Sequence, residues 1–158
     1  MSSTIDFPPL SLEHVCDLAV MVATPIEVGM TAQGLRRLVP IIGGSVTGPR
    51  LQGRILPAGA DFQLIVGGTT AQLDARYALE LDDGARVYVH NTALRVASAA
   101  TTQALLRGEL VDAAAVYFRC QPRFEAAAPA LAWLSESQFV GTGVRLPDAV
   151  HLRFFRVA

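Results

Sequence analysis

The sequence predicts an all-β protein: a single antiparallel β-barrel of about 8–10 strands with one short helix near residues 101–108. Three observations lead there. Short runs rich in Val, Ile, Leu, Phe and Tyr are separated by turn residues about every eight to twelve positions. Glycines are scattered through those runs, as the corner bends of a closing sheet require. Only one stretch carries the start and stop signals of a helix.

Residues 1–10 form an extended arm, because Pro8-Pro9 excludes helix there. Glu13 to Thr24 is a β-branched run ending before Pro25, apolar at both parities and so expected to be covered on both faces. Leu35 to Thr47 reads as a strand interrupted at Pro40 and at Gly43-Gly44. Leu51 to Leu56 and Asp61 to Val66 are strands around a Pro57–Ala60 turn. Thr101 to Gly108 has a Thr cap, a basic last turn and a closing Gly. Ala115 to Phe124 returns to strand with an irregularity at Pro122, and Ala126 to Leu134 is a loop or one helical turn. Phe139 to Val144 and Val150 to Val157 complete the set, and one domain spans residues 1–158.

The stretch from Asp74 to Asn91 is the most informative. Asp82-Asp83-Gly84 marks a hairpin turn. A two-residue turn would mix polar and apolar side chains on both faces. A three-residue loop pairs Glu80 with Arg86, Ala78 with Tyr88 and Arg76 with His90. It gathers Asp74, Arg76, Glu80, Arg86, Tyr88 and His90 on one face and Tyr77, Leu79, Val87, Val89 and Asn91 on the other.

Composition excludes several functions. Hydrophobic residues make up 51% of the chain and charged residues 17%, with a net charge of −1, so there is no electrostatic footprint for nucleic acid or an anionic membrane. All 13 basic residues are Arg, which removes Schiff-base and P-loop lysines. Cys16 and Cys120 follow no metal spacing and read as reduced core thiols. His14, His90 and His151 sit on separate strands without metal spacing, and no cofactor motif is found. No serine lies in a nucleophile elbow. With neither a signal-peptide pattern nor a run of about 18 apolar residues, the expected location is the cytoplasm.

Four segments together resemble a known family: Val39 to Gln63, Leu73 to Asn91, Tyr117 to Glu125 and Ala132 to Gly143. They are similar, in order and over nearly the whole chain, to the bacterial and fungal family called domain of unknown function 3237. The resemblance implies a small antiparallel barrel of lipocalin type and assigns no activity. It singles out Gly59-Ala60-Asp61, Asp74-Ala75-Arg76-Tyr77, Tyr117-Phe118-Arg119, Phe124-Glu125, Trp133-Leu134 and Gly141 to Gly143. Ser135 stands where the family pattern has Asn, and His90 where it has Arg.

The candidate ligand-binding residues are Arg76, Glu80, Tyr88, His90 and Arg119; the candidate acid–base residues are Asp61, Asp74 and Glu125. Asp74, Arg76, Glu80, Tyr88 and His90 form either a polar wall inside the barrel or its wet exterior. Arg119 and Glu125 share parity with Gln121 and Arg123; Arg119 is either a bidentate anchor for a carboxylate or enolate or half of a surface ion pair. Asp61 is either a carboxylate at the barrel mouth or a turn cap. Trp133 reads as a core residue or a barrel-end plug. The first functional reading is a barrel binding a small, largely apolar organic molecule with an anionic or carbonyl group in its lumen. The alternative is a cofactor-independent isomerase, cyclase or lyase with carboxylate acid–base chemistry and an Arg oxyanion site. A third is an interaction module acting through strand edges; the oligomeric state is open, a homo-oligomer included.

Overall fold

The computed structural model describes residues 3–158; Met1 and Ser2, the first residues of the expected arm, lie outside the described residues. The chain is mostly strand: β1 (Leu12–Val22), β2 (Ile26–Met30), β3 (Leu35–Thr47), β4 (Gly53–Ile55), β5 (Ala60–Val66), β6 (Thr70–Leu81), β7 (Arg86–Val96), β8 (Tyr117–Ala126), β9 (Gln138–Arg145) and β10 (Ala149–Val157). One α-helix, α1 (Ala99–Leu106), and two 3₁₀ turns, Ala113–Ala115 and Pro129–Leu134, complete it. The strands run antiparallel in the order β1-β10-β9-β8-β7-β6-β4-β3, and β1 then pairs with β3 to close an eight-stranded barrel. β4 and β5 share one place in the wall, each bridging β3 and β6 at a different end.

β3 is continuous through Pro40, contrary to the expected interruption. It changes partners instead. Its first half pairs with β2 and β5, and its second half with β1 and β4. Gly43 and Gly44 lie at that change with φ of 144° and 139°, a region that favours glycine. A Cβ on Gly44 would stand 2.0 Å from the Ala19 carbonyl oxygen of β1. Closure therefore depends on a bare backbone at the β1–β3 seam.

β1 is covered on one face only, correcting the two-faced expectation. Leu18, Val20 and Val22 point inward while Met21 is exposed. The register slips between His14 and Cys16, which buries both Val15 and Cys16 and produces the apolar run at both parities. The helix begins earlier than expected: Ser98, three residues before Thr101, is the N-cap, its Oγ accepting from the Thr101 N–H at 3.1 Å. β8 keeps unbroken register through Pro122, with Arg119, Gln121, Arg123 and Glu125 outside and Phe118, Cys120 and Phe124 inside.

The barrel interior is divided along its length. One end is apolar and filled. Phe124 meets Phe139 edge-on at 4.9 Å and Phe154 at 5.9 Å. Leu134 is buried beneath this end, Trp133 packs on Phe139, and the Arg50 guanidinium lies 4.0 Å from the Trp133 ring. The other end holds polar side chains. Gly44→Ala is expected to cost about 2 kcal/mol or more in urea unfolding, with faster amide exchange confined first to the β1–β3 seam. Wild-type stability in that variant would show that the seam adjusts without a bare backbone.

Candidate functional site

The hairpin adopts the three-residue-loop register. Arg76 pairs with His90, Ala78 with Tyr88 and Glu80 with Arg86. Its apolar face points inward, with Leu79, Val87 and Val89 fully buried and Tyr77 nearly so. The lumenal placement of the polar face is thereby corrected: Arg76, Glu80, Tyr88 and His90, with Asp74, lie on the outer wall. The reason is the solvation cost of a double row of charges in a lumen already packed with aromatic and branched side chains. Outside, Glu80 is gripped by Arg54 at 2.9 Å and Arg86 at 3.1 Å, and both guanidiniums hold its carboxyl below the usual range. Asp74 takes His90 at 2.8 Å and Arg76 at 3.3 Å.

The polar half of the lumen comes from residues further along the inward-facing parity. β7 continues from Val87 and Val89 to Asn91 and Arg95, β3 contributes Arg37, β5 contributes Asp61 and Gln63, and β9 contributes Arg145. Arg37 and Arg95 are each only 5% exposed. Of the three expected carboxylates, Asp61 alone faces the interior; Glu125 is exposed and Asp74 bonds outward through its side chain. Asp61 Oδ2 accepts from Gln63 Nε2 at 2.9 Å and Oδ1 from the Asp74 backbone N–H at 3.1 Å. Burial pushes its carboxyl up, opposed by the Gln63 hydrogen bond and by the nearby Arg95 charge.

The guanidiniums divide in two ways. Arg37 is neutralised by Glu27, its cross-strand partner, at 2.8 Å, and donates to the Leu106 carbonyl at 3.4 Å, which ties α1 to the mouth. Arg95 and Arg145 have no carboxylate oxygen within 4.0 Å among the described residues, Asp61 included. Burial lowers the Arg95 pKa to about 10, and lowers Arg145 with added repulsion from Arg37. Beside Arg145, Asp61, Gln63 and Asn91 is a cavity of about 40 Å³, walled by Val20, Val39, Leu73, Phe118 and Leu152. It has room for a few waters. Among the described residues, the four buried polar atoms without a hydrogen-bond partner are Gln63 Oε1, Tyr77 OH, Asn91 Oδ1 and Arg145 Nη1. All four residues line this one cavity.

Arg119 lies elsewhere, on the outer face of the barrel, in an open groove of about 820 Å³. Among the described residues, no three His, Cys, Asp or Glu side chains converge as a metal site, and no helix is long and apolar enough to cross a membrane. Sequence reasoning missed Arg37, Asn91, Arg95 and Arg145. One signal was present: each shares parity with buried neighbours, Arg95 with Val87 and Val89, Arg37 with Val39 and Ile41, Arg145 with Phe139 and Gly141.

The comparisons agree with this architecture. The model of a family described as protein of unknown function (DUF3237) matches residues 10–157. A UPF0311 protein of Rhodopseudomonas palustris is 41% identical over 143 residues, covering 90% of this chain and 94% of that protein. Its crystal structure superposes with a TM-score of 0.90 at 38% identity, over 96% of this chain and 100% of that one. A beta-barrel like protein from Acinetobacter baumannii has a TM-score of 0.86 at 37% identity, over 98% of this chain and 100% of that one. An enzyme from Penicillium herquei shares the fold, with a TM-score of 0.73 at 16% identity, over 99% of this chain and 100% of that one.

A buried guanidinium without a carboxylate partner carries a desolvation cost of several kcal/mol. Arg95→Met is therefore expected to hold or raise the melting temperature, by about 2–4 °C for each kcal/mol recovered. A drop of that size in a thermal scan would mean that Arg95 holds the fold together.

Proposed function

The chain belongs to the family of unknown function DUF3237, and we propose that its barrel binds a small organic molecule carrying both an anionic or carbonyl oxygen and a hydroxyl. One observation carries this reading. The residues that carry the four unpartnered buried polar atoms line one cavity, and the atoms divide into donors and acceptors. Arg145 Nη1 and Tyr77 OH have protons to donate, with the Arg95 charge alongside. Gln63 Oε1 and Asn91 Oδ1 await a donor. Each such atom left unpaired costs about 1–3 kcal/mol, and a ligand of matching polarity recovers that. The apolar body of the ligand would lie against Val20, Val39, Phe118 and Leu152.

The cavity is smaller than an aromatic ring, so a ligand of that size enters only as the barrel end opens. In this reading α1 is the element that moves, freed when the Arg37 bond to the Leu106 carbonyl breaks. A second reading uses the same site for catalysis, as a cofactor-independent isomerase, cyclase or lyase. It is favoured by Asp61, a carboxylate raised by burial, hydrogen-bonded and free of a direct ion pair. In that role Asp61 moves a proton while Arg95 and Arg145 stabilise the oxyanion. We place the protein in the cytoplasm on the sequence reading alone.

The probe is 4-hydroxybenzoate, titrated by calorimetry beside benzoate and phenol. It should bind more tightly than either half-molecule, and Arg145→Met should weaken it roughly tenfold or more. Absence of binding by all three would remove this ligand class. The pH dependence has a definite sign. An anion beside Asp61 raises its pKa further, so binding takes up a proton. Affinity should rise as pH falls toward the Asp61 pKa and flatten below it. Asp61→Asn should abolish that slope; an unchanged slope would place the titrating group elsewhere. For the catalytic reading, Asp61→Asn must remove turnover while affinity persists.

A further inference from the structure

The outer face of β7, β8, β9 and β10 forms an open groove of about 820 Å³, with Leu12 of β1 at its rim. Leu94 and Tyr117 stand to one side and Val140 and Phe155 to the other. Leu12 is 59% exposed, Tyr117 53% and Leu94 41%, a large apolar patch for a chain alone in water. Arg119 lies on the floor, donating to Thr142 Oγ1 at 3.0 Å, with its guanidinium 5.4 Å from the Tyr117 ring. It is the sole charged residue lining the groove, and no carboxylate among the described residues lies within 4.0 Å of it.

A second unpartnered feature begins beside this groove. Residues 3–10 project from the barrel without regular structure. Ile5, Phe7 and Leu10 are 72%, 78% and 82% exposed. Asp6 is the one charged residue in that segment. The base of the arm is fixed by two bonds between Ser11 and Ala158, of 3.0 and 2.9 Å. Pro8 and Pro9 lock their own φ angles and hold Phe7 extended, so the arm cannot double back at that point. At about 3.1 Å per residue it carries Ile5 roughly 15 Å beyond Leu10, and the exposure of Ile5, Phe7 and Leu10 shows that the arm is not covered by its own groove.

We propose that the chain pairs with a second copy of itself by exchanging these arms, each lying in the partner's groove. The extended left-handed conformation has three residues per turn, which spreads Ile5, Asp6 and Phe7 to three sides of the arm. Asp6 then faces the floor and meets Arg119. Ile5 and Phe7 face the two apolar walls. Because each groove adjoins the base of its own arm, reciprocal exchange closes about one two-fold axis and leaves neither feature unsatisfied.

Sedimentation velocity on the full chain over a concentration series tests this. The wild type should be a dimer, and Phe7→Asp should weaken it roughly tenfold or more while the circular dichroism spectrum stays that of the wild type, since Phe7 lies outside the barrel. Asp6→Arg should also weaken the dimer, and adding Arg119→Asp to the same chain should restore it. Phe7→Cys combined with Leu94→Cys should give a covalent dimer on oxidation. A monomeric wild type, a dimer indifferent to Phe7→Asp, a failed charge swap, or a cross-link within one chain would each overturn the exchange. The dimer is read without any ligand, so its failure leaves the interior site untouched.

Discussion

Closure of the wall at β1 and β3 is the constraint on which the other features depend. Met21 pairs with Gly43 and Val20 with Gly44 across the seam, where a Cβ on Gly44 would collide with the opposite backbone. An open sheet would present edge strands and two wet faces. Closing it gives each of the wall strands two neighbours, leaving only β2 at an edge beside β3 among the described residues, and makes one face an interior. Only then do Arg95 and Arg145 become expensive, since an open sheet would let water reach both guanidiniums.

The interior uses this enclosure unevenly. At one end Phe124, Phe139 and Phe154 fill the space, with Leu134 beneath them, and none of these side chains carries a polar atom. At the other end the wall carries Gln63, Tyr77, Asn91 and Arg145 around a small cavity, with Asp61 facing the guanidiniums at a distance. The filled end supplies stability, and the polar end draws on it. Outside, the ion pairs of Glu80 and Asp74 keep the wall solvated and, being largely exposed, contribute little to stability.

Two sites share the same strands through strict alternation. On β7, Asn91 and Arg95 point into the lumen while Thr92 and Leu94 face the outer groove. On β8, Phe118 points in while Tyr117 and Arg119 point out. Asp74 joins the surfaces differently: its side chain holds His90 outside, and its backbone N–H holds Asp61 inside.

How much of this was legible follows from the range of each signal. Alternation along the chain and the Asp82-Asp83-Gly84 loop were enough for the hairpin register from Glu80–Arg86 to Arg76–His90, because pairing across a short loop is local. The shared parity of Arg119 and Glu125 was readable for the same reason, but that it faces outward was not. Which hairpin face turns inward was not, because both faces are regular and the choice is made by what the distant β1, β3 and β10 pack into the lumen. Arg37, Arg95 and Arg145 lie on three strands far apart in sequence, and each alone looks like an ordinary solvated side chain. The sequence by itself determined most of the strands, the register of the central hairpin and the extended arm. The tertiary structure alone decided which side chains share an enclosed space, because barrel closure is a long-range pairing that no local pattern encodes.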